Sequence, residues 1–180
     1  MPDLETATLA GGCFWCTEAV FKRLQGVQRV VPGYAGGHVE NPSYEEVCTG
    51  ATGHAEAIQV TFDPAAIPYE KLLEVFWHLH DPTTLNRQGA DVGTQYRSAI
   101  FYHTDQQREA ALRSREETEK SRLYRNRIVT EIVPFTKFYE AEGYHLDFYD
   151  NNRSYPYCEI VIDPKVAKLY REFPKDLNSL

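Results

Sequence analysis

Between residues 54 and 62 apolar and polar positions alternate. Ile58, Val60 and Phe62 fall on one side and Ala57, Gln59 and Thr61 on the other, the period-two pattern of a strand. Counting back by two from Ile58 reaches Glu56 and then His54, so a regular strand puts Glu56 on the apolar side. A carboxylate there loses water, which raises its pKa and favours a protonated group that can give up a proton near neutral pH. A frayed, wet strand start, or an arginine partner, would leave the same residue ionised.

Shorter patterns frame this strand. Residues 6–10 read as a strand and residues 17–24 as a helix, with Ala19, Val20 and Leu24 on one apolar face. Gly26 closes that helix, residues 27–31 read as a strand, and Pro32-Gly33 ends it. Residues 36–42 form a loop by composition. In the helical turn expected at 43–48, Ser43 and Glu46 have the spacing of a capping box, and residues 49–53 make a flexible link. Pro68 opens a helix with a stripe of Leu72, Leu73, Phe76 and Leu79, which Asp81-Pro82 stops.

Residues 83–96 show no period and are dense in hydrogen-bonding groups, as in a loop that lines a site or one bonded to itself at the surface. Residues 98–103, apolar on both faces, predict a central strand. Thr104 with Gln107 predicts the start of a charged, solvated helix over 105–121. A strand at 128–133 ended by Pro134 follows, then an aromatic-rich stretch over 135–157, then Cys158 with 159–162, and a short helix at about 165–173. The order β-α-β-β-α-β, followed by α-β, predicts an α+β fold. It would be a two-layer sandwich with a ferredoxin-like split βαβ core, a mixed sheet with helices on one face, and an irregular C-terminal tail.

Composition narrows the function. With 180 residues, the chain is expected to form one domain, 1–180, whose tail from about 140 to 180 carries a distal cysteine. A net charge of −7 argues against nucleic-acid or anionic-membrane binding, which wants a basic face. No apolar run approaches a membrane span, and Met1-Pro2-Asp3-Leu4-Glu5 lacks the regions of a signal peptide. A cytoplasmic location is therefore expected, where thiols stay reduced. Four cysteines in such a compartment point to redox or metal chemistry before structural disulfides.

Gly11-Gly12-Cys13-Phe14-Trp15-Cys16 is the stretch that could carry redox chemistry. A glycine turn should deliver Cys13 to a helix N-terminus, whose unpaired N–H groups favour a thiolate. Phe14 and Trp15 set a large apolar pair beside it, suited to a small, greasy substrate. The plainer reading is an inert buried cysteine beside two core aromatics.

Taken together, several motifs resemble the A class of peptide methionine sulfoxide reductases. They are Gly-Gly-Cys-Phe-Trp at 11–15, Asn-Pro-Ser-Tyr at 41–44, Glu-Val-Cys-Thr-Gly at 46–50, Gly-His-Ala-Glu at 53–56, and Gln-Gly-Ala-Asp-Val-Gly-Thr-Gln-Tyr-Arg-Ser at 88–98, with Tyr144-His145 later. The resemblance covers Gly11 to about Tyr149. It implies that Cys13 attacks the sulfoxide sulfur and that Phe14 and Trp15 hold the substrate methyl group. Glu56 would protonate the sulfoxide oxygen, Tyr44 and Tyr96 would hydrogen-bond it, and Asp91 would assist. The reaction leaves a sulfenic acid on Cys13, a second thiol condenses with it to a disulfide, and an outside dithiol such as thioredoxin reduces that disulfide. The implied substrates are the S epimer of methionine sulfoxide, free or in oxidised proteins. No metal or bound cofactor is expected, and the protein is expected to act as a monomer.

Two positions depart from the family pattern. Cys16 stands where the family often has glycine, and Leu146 where it usually has glutamine. Cys158 resembles the distal resolving cysteine. It is favoured over Cys16 for the first step, because Cys16 is expected inside a helix that would have to distort. Cys48 is expected to be an inert thiol. The rival readings are a thiol–disulfide oxidoreductase built on Cys13 and Cys16, which has no use for Glu56, Tyr44 or Tyr96, and a zinc-stabilised binding domain, for which only one Cys-x-x-Cys pair exists.

Overall fold

The computed structural model describes residues 3–178. Met1, Pro2, Ser179 and Leu180, included in the expected 1–180 domain and in the reading of the N-terminus, lie outside the described residues. The first half of the chain gives β1 (Glu5–Gly11), α1 (Phe14–Phe21), β2 (Val27–Ala35), α2 (Tyr44–Cys48), β3 (Ala55–Phe62) and α3 (Tyr69–Leu79). The second half gives a short pair, β4 (Arg87–Gln88) and β5 (Asp91–Val92), then β6 (Ser98–Tyr102), α4 (Asp105–Ser121), β7 (Glu131–Pro134), β8 (Phe138–Glu140), α5 (Phe148–Asn151) and α6 (Asp163–Glu172). The six-stranded sheet has the order β7-β6-β1-β3-β2-β8, with only the β6/β7 pair parallel. β1 and β2 run parallel with β3 between them, and β3 and β6 run parallel with β1 between them. The fold is thus the expected mixed α+β arrangement.

Side-chain alternation decides what each sheet face does. Leu9, Ile58, Val60, Phe62 and Ile100 point to one face and meet Phe14, Phe21, Leu72 and Phe76 from α1 and α3 in the main core. The opposite face carries Ala10, Ala35, Ala55, Ala57 and Ala99, with Phe101, Phe135 and Phe138. These small residues fit a curled sheet. β7 and β8 lie at opposite edges yet are joined by residues 135–137 alone. Six flat strands would set the edges ~24 Å apart, and four Cα steps span at most ~14 Å. The sheet must therefore roll until its edges approach, and the alanines of its inner face leave room there for Phe101, Phe135 and Phe138.

Several expectations need correction. β2 runs on through Pro32-Gly33 to Ala35 instead of ending there. Pro32 needs no N–H on that side, because its carbonyl accepts from Ala141 N–H just past the end of β8. Gly33 lets β8 come close, since a Cβ there would stand 2.4 Å from the Tyr139 carbonyl oxygen. α1 starts earlier than expected, at Phe14. Residues 83–96 hold the β4–β5 pair and a 3-10 turn at Thr94–Tyr96. The strand expected over 128–133 is only β7, and the aromatic stretch supplies an edge strand, β8. The tail is not irregular: a π-helical turn at Cys158–Ile162 leads straight into α6.

The first capping box forms in full, and the second only in part, since the Gln107 side chain accepts from the His103 N–H. Glu46 N–H donates to Ser43 Oγ at 3.1 Å and Ser43 N–H donates to Glu46 Oε1 at 3.0 Å, fixing the start of α2. Gln107 N–H donates to Thr104 Oγ1 at the start of α4. No described helix is long and apolar enough to cross a membrane.

Candidate active site

The site forms where the β1–α1 turn meets the end of β3. Gly12 makes that turn with φ +88°, and a Cβ on it would reach within 2.7 Å of the Gln88 side chain. Cys13 follows as the N-cap residue, with extended backbone angles, and is nearly buried. Cys16 sits in the first turn of α1. Since Cys13 stands outside the helix, the two sulfurs can meet without distorting it. They lie close enough to shift each other's ionisation.

Electrostatics at this pair run opposite to the simplest expectation for Cys13. Burial above all, then the Cys16 hydrogen bond and the nearby Glu56 charge, push its thiol well above the ordinary value. The Trp15 N–H at the helix end does favour the thiolate, as expected, but it is outweighed. Cys16 moves the other way, down to about 7, chiefly because Cys13 donates to it against the cost of burial. The Lys165 ammonium adds to that lowering. The Tyr157 hydroxyl oxygen lies 3.6 Å from Cys16 Sγ. The pair therefore holds one negative charge easily and two only with difficulty.

Glu56 is buried on the apolar side of β3, where the alternation placed it. Its Oε1 accepts from the Phe14 N–H at 3.1 Å, one residue from the thiol. Its Oε2 is buried and, among the described residues, has no hydrogen-bond partner. Burial raises its pKa to about 8, against the Phe14 hydrogen bond, and the charge of Asp91 adds to the rise. Leaving one oxygen of a buried acid unmet costs about 1–3 kcal/mol. It leaves a proton donor aimed into the site.

The remaining predicted groups converge here. Tyr44, at the start of α2, and Tyr96, ending its 3-10 turn, both feel the Glu56 charge, and burial above all keeps both phenols protonated. Asp91 on β5 lies near Glu56 and accepts from the Tyr157 hydroxyl at 2.7 Å. Phe14 is fully buried among Tyr34, Tyr44 and His145. Trp15 stacks on Phe148 with centroids 3.8 Å apart and donates from Nε1 to His145 Nδ1 at 3.0 Å. Cys158 is buried in the same apolar cluster as Cys13 and Cys16, with its thiol raised by burial and then by the Cys16 charge. Cys48 is exposed, beside Tyr44. Leu146 is exposed and lines an outer groove with Lys22, Val27 and Asp147, away from the thiols.

Sequence reading missed several groups that build this pocket. Tyr34, Glu142, Phe148 and Tyr157 come from β2 and from the aromatic-rich tail, whose density of rings was the only signal. The tail is fastened to α1 by Glu18, which accepts from the Asp147 N–H at 2.9 Å, and by pairs of Lys22 and Arg23 with Asp150. Among the described residues, no group of three or more His, Cys, Asp or Glu side chains stands together as metal ligands.

A family model described as peptide methionine sulfoxide reductase matches residues 5–177. The peptide methionine sulfoxide reductase MsrA of Sulfolobus acidocaldarius is 61% identical over 175 residues, covering 95% of this chain and 96% of that one. The MsrA of Thermus thermophilus is 56% identical over 176 residues, covering 96% and 97%. Among solved structures, reduced Mxr1 from Saccharomyces cerevisiae is 37% identical with a TM-score of 0.79, covering 86% of this chain and 89% of that one. Mxr1 in complex with Trx2 matches at 28% identity and a TM-score of 0.56, covering 79% and 84%.

Proposed function

The chain belongs to the peptide methionine sulfoxide reductase family and is an oxidoreductase that reduces methionine sulfoxide to methionine; from that premise we propose which of its groups carries each step. The observation that carries the reading is the free Oε2 of Glu56, buried one residue away from the Cys13 thiol.

The substrate's methyl group lies against Phe14 and Trp15, and its oxygen faces Glu56, Tyr44 and Tyr96, with Asp91 beside them. Sulfoxide oxygen is a poor leaving group until it gains a proton, which Glu56 supplies. Cys13 becomes the nucleophile by passing its own proton to Cys16, whose thiolate is the more stable of the two in the resting site. Its sulfur then attacks the substrate sulfur. An S–S bond forms as the protonated S–O bond breaks; the released hydroxyl oxygen then joins the Cys13 sulfur while the S–S bond breaks with its electron pair on the thioether sulfur, so the substrate sulfur gains two electrons and Cys13 loses two and ends as sulfenic acid. In sum, one thiol and one sulfoxide become one sulfenic acid and one thioether, with no net proton change.

Cys16 then attacks the Cys13 sulfenic acid, water leaves, and a disulfide forms. The mutual influence of the two thiols, the position of Cys13 outside the helix and the lowered Cys16 pKa support Cys16 in this first step. Cys158, buried in the same cluster as Cys16, then takes over the disulfide by thiol exchange. An external dithiol closes the cycle. The Trx2 complex of yeast Mxr1 supports a thioredoxin in that role here. We further propose specificity for the S epimer, free or protein-bound. The chain would act as a monomer and one domain over 1–180, with the 140–180 tail as its resolving arm, and a reducing, cytoplasmic setting suits its four free thiols.

Disulfide mapping after one turnover without reductant tests the order. In Cys158→Ser, a full equivalent of product and a Cys13–Cys16 disulfide are expected. In Cys16→Ser, sulfenic acid on Cys13 should persist far longer than in the native protein. A Cys13–Cys158 disulfide that forms as fast in Cys16→Ser as in the native protein would overturn it.

A further inference from the structure

Tyr34 and Glu56 are directly opposite each other on β2 and β3, with side chains on the same face. Their Cβ atoms are therefore about 4.5–5.5 Å apart. Tyr34 is fully buried, yet its hydroxyl does not bond to the acid beside it. It donates instead to Glu142 Oε1 at 2.8 Å. The other oxygen of Glu142 accepts from the Tyr44 N–H at 2.9 Å, at the first residue of α2. One carboxylate thus holds both the residue that faces the sulfoxide oxygen and the residue that faces the acid.

We propose that Glu142 is a positioning residue that fixes Tyr44 at the pocket and holds the Tyr34 hydroxyl away from Glu56, so that Oε2 of the acid stays free for the sulfoxide oxygen. The proposal rests on Glu56 being the proton donor. A buried hydroxyl that loses its acceptor must find another. Among the described residues, three buried side-chain atoms lack a partner, and the one on the residue directly opposite Tyr34 is Glu56 Oε2. A phenol bonded there favours the carboxylate over the acid and lowers its pKa. The enzyme would keep its thiols and lose its proton donor at neutral pH.

Other charges around the two carboxyl groups do not take over this task. Glu56 faces Cys13 and Cys16 at α1, Tyr34 on β2, Tyr44 on α2, and Asp91 and Tyr96 on the 83–97 segment. All are acids or phenols, so none offers a cation to it. Glu142 faces Tyr34, Tyr44 and, on its own segment, Tyr144 and His145, with Glu45 of α2 near the same histidine. Burial opposes ionisation of Glu142, but its hydrogen bonds from the Tyr44 N–H and the Tyr34 hydroxyl hold its pKa below the ordinary carboxylate value. It is a carboxylate, an acceptor only, throughout the working range.

The test is the pH profile of single-turnover kcat/KM on acetylated methionine sulfoxide. In Glu142→Gln, where the amide can accept only through its oxygen, the alkaline limb should move to lower pH by roughly one unit or more. In the double variant Glu142→Gln/Tyr34→Phe, which has no hydroxyl to redirect, the limb should return to its native position. A merely structural role for Glu142 would lower the rate at every pH and leave the limb in place, and that result overturns the proposal. So does a shifted limb that the double variant fails to restore. If Glu142→Gln does not fold, Glu142→Asp, one methylene short of spanning both donors, carries the same expectations. Glu56→Gln is measured alongside: native rates in that variant would reject the acid assignment itself, a failure distinct from that of Glu142.

Discussion

Glu56→Gln is expected to lower kcat/KM for methionine sulfoxide by about 10²–10⁴-fold, the usual contribution of a positioned general acid. The amide keeps the shape of the side chain and can still accept from the Phe14 N–H, so α1 and Cys13 stay in place. Alkylation of Cys13 should persist, which separates loss of the acid from loss of the nucleophile. The native enzyme should lose rate as pH rises through about 8, where Glu56 gives up its proton, and the variant should lack that limb.

The same substitution should stabilise the fold at neutral and alkaline pH. The native pKa of Glu56 lies above its unfolded value, so between about 4.5 and about 8 the folded state binds the extra proton. Stability from this residue is therefore full below the unfolded pKa and is lost as pH rises through the native one. Glutamine has no proton to lose. The melting temperature of Glu56→Gln should match the native protein near pH 4 and exceed it at pH 8, where the variant should be more stable by the order of a few kcal/mol. A variant that gains activity loss and stability together is the mark of a residue kept for chemistry.

Cys13→Ser should abolish turnover altogether. Serine is a good N-cap residue, so the start of α1 should survive the change. The hydroxyl, however, stays protonated and is a poor nucleophile toward sulfur, and Cys16 lies two residues beyond the Phe14 N–H that anchors Glu56. Assayed with dithiothreitol and acetylated methionine sulfoxide, the variant should give no product above the uncatalysed rate, while Cys16 and Cys158 remain titratable. Turnover at even a few per cent of the native rate would move the nucleophile to Cys16.

Much of this site was legible in the sequence because its signals are local. The alternation of Ile58, Val60 and Phe62 put Glu56 on the core face, where it lies. The Ser43–Glu46 spacing placed the start of α2, and with it Tyr44. Charge and capping gave α4 its observed bounds. What sequence reading missed depends on distant partners. Pro32-Gly33 reads as a strand end until β8 is known to lie beside it. Residues 135–137 look like an ordinary linker until β7 and β8 are placed at opposite edges of one sheet. The direction of the Cys13 shift depends on how much of the tail covers it, which no helix-end argument can weigh. Glu142 carries no motif, and its importance comes only from the two donors that meet on it.

An un-ionised Glu56 beside Cys13 is the claim on which the rest turns. Carboxyl carbon NMR of protein labelled at glutamate, with the Glu56 signal identified by its loss in Glu56→Gln, reads that protonation state directly. The account expects the Glu56 carboxyl to titrate near pH 8 and to be protonated at pH 7. A signal that titrates below pH 5, as for a glutamate in water, would contradict it.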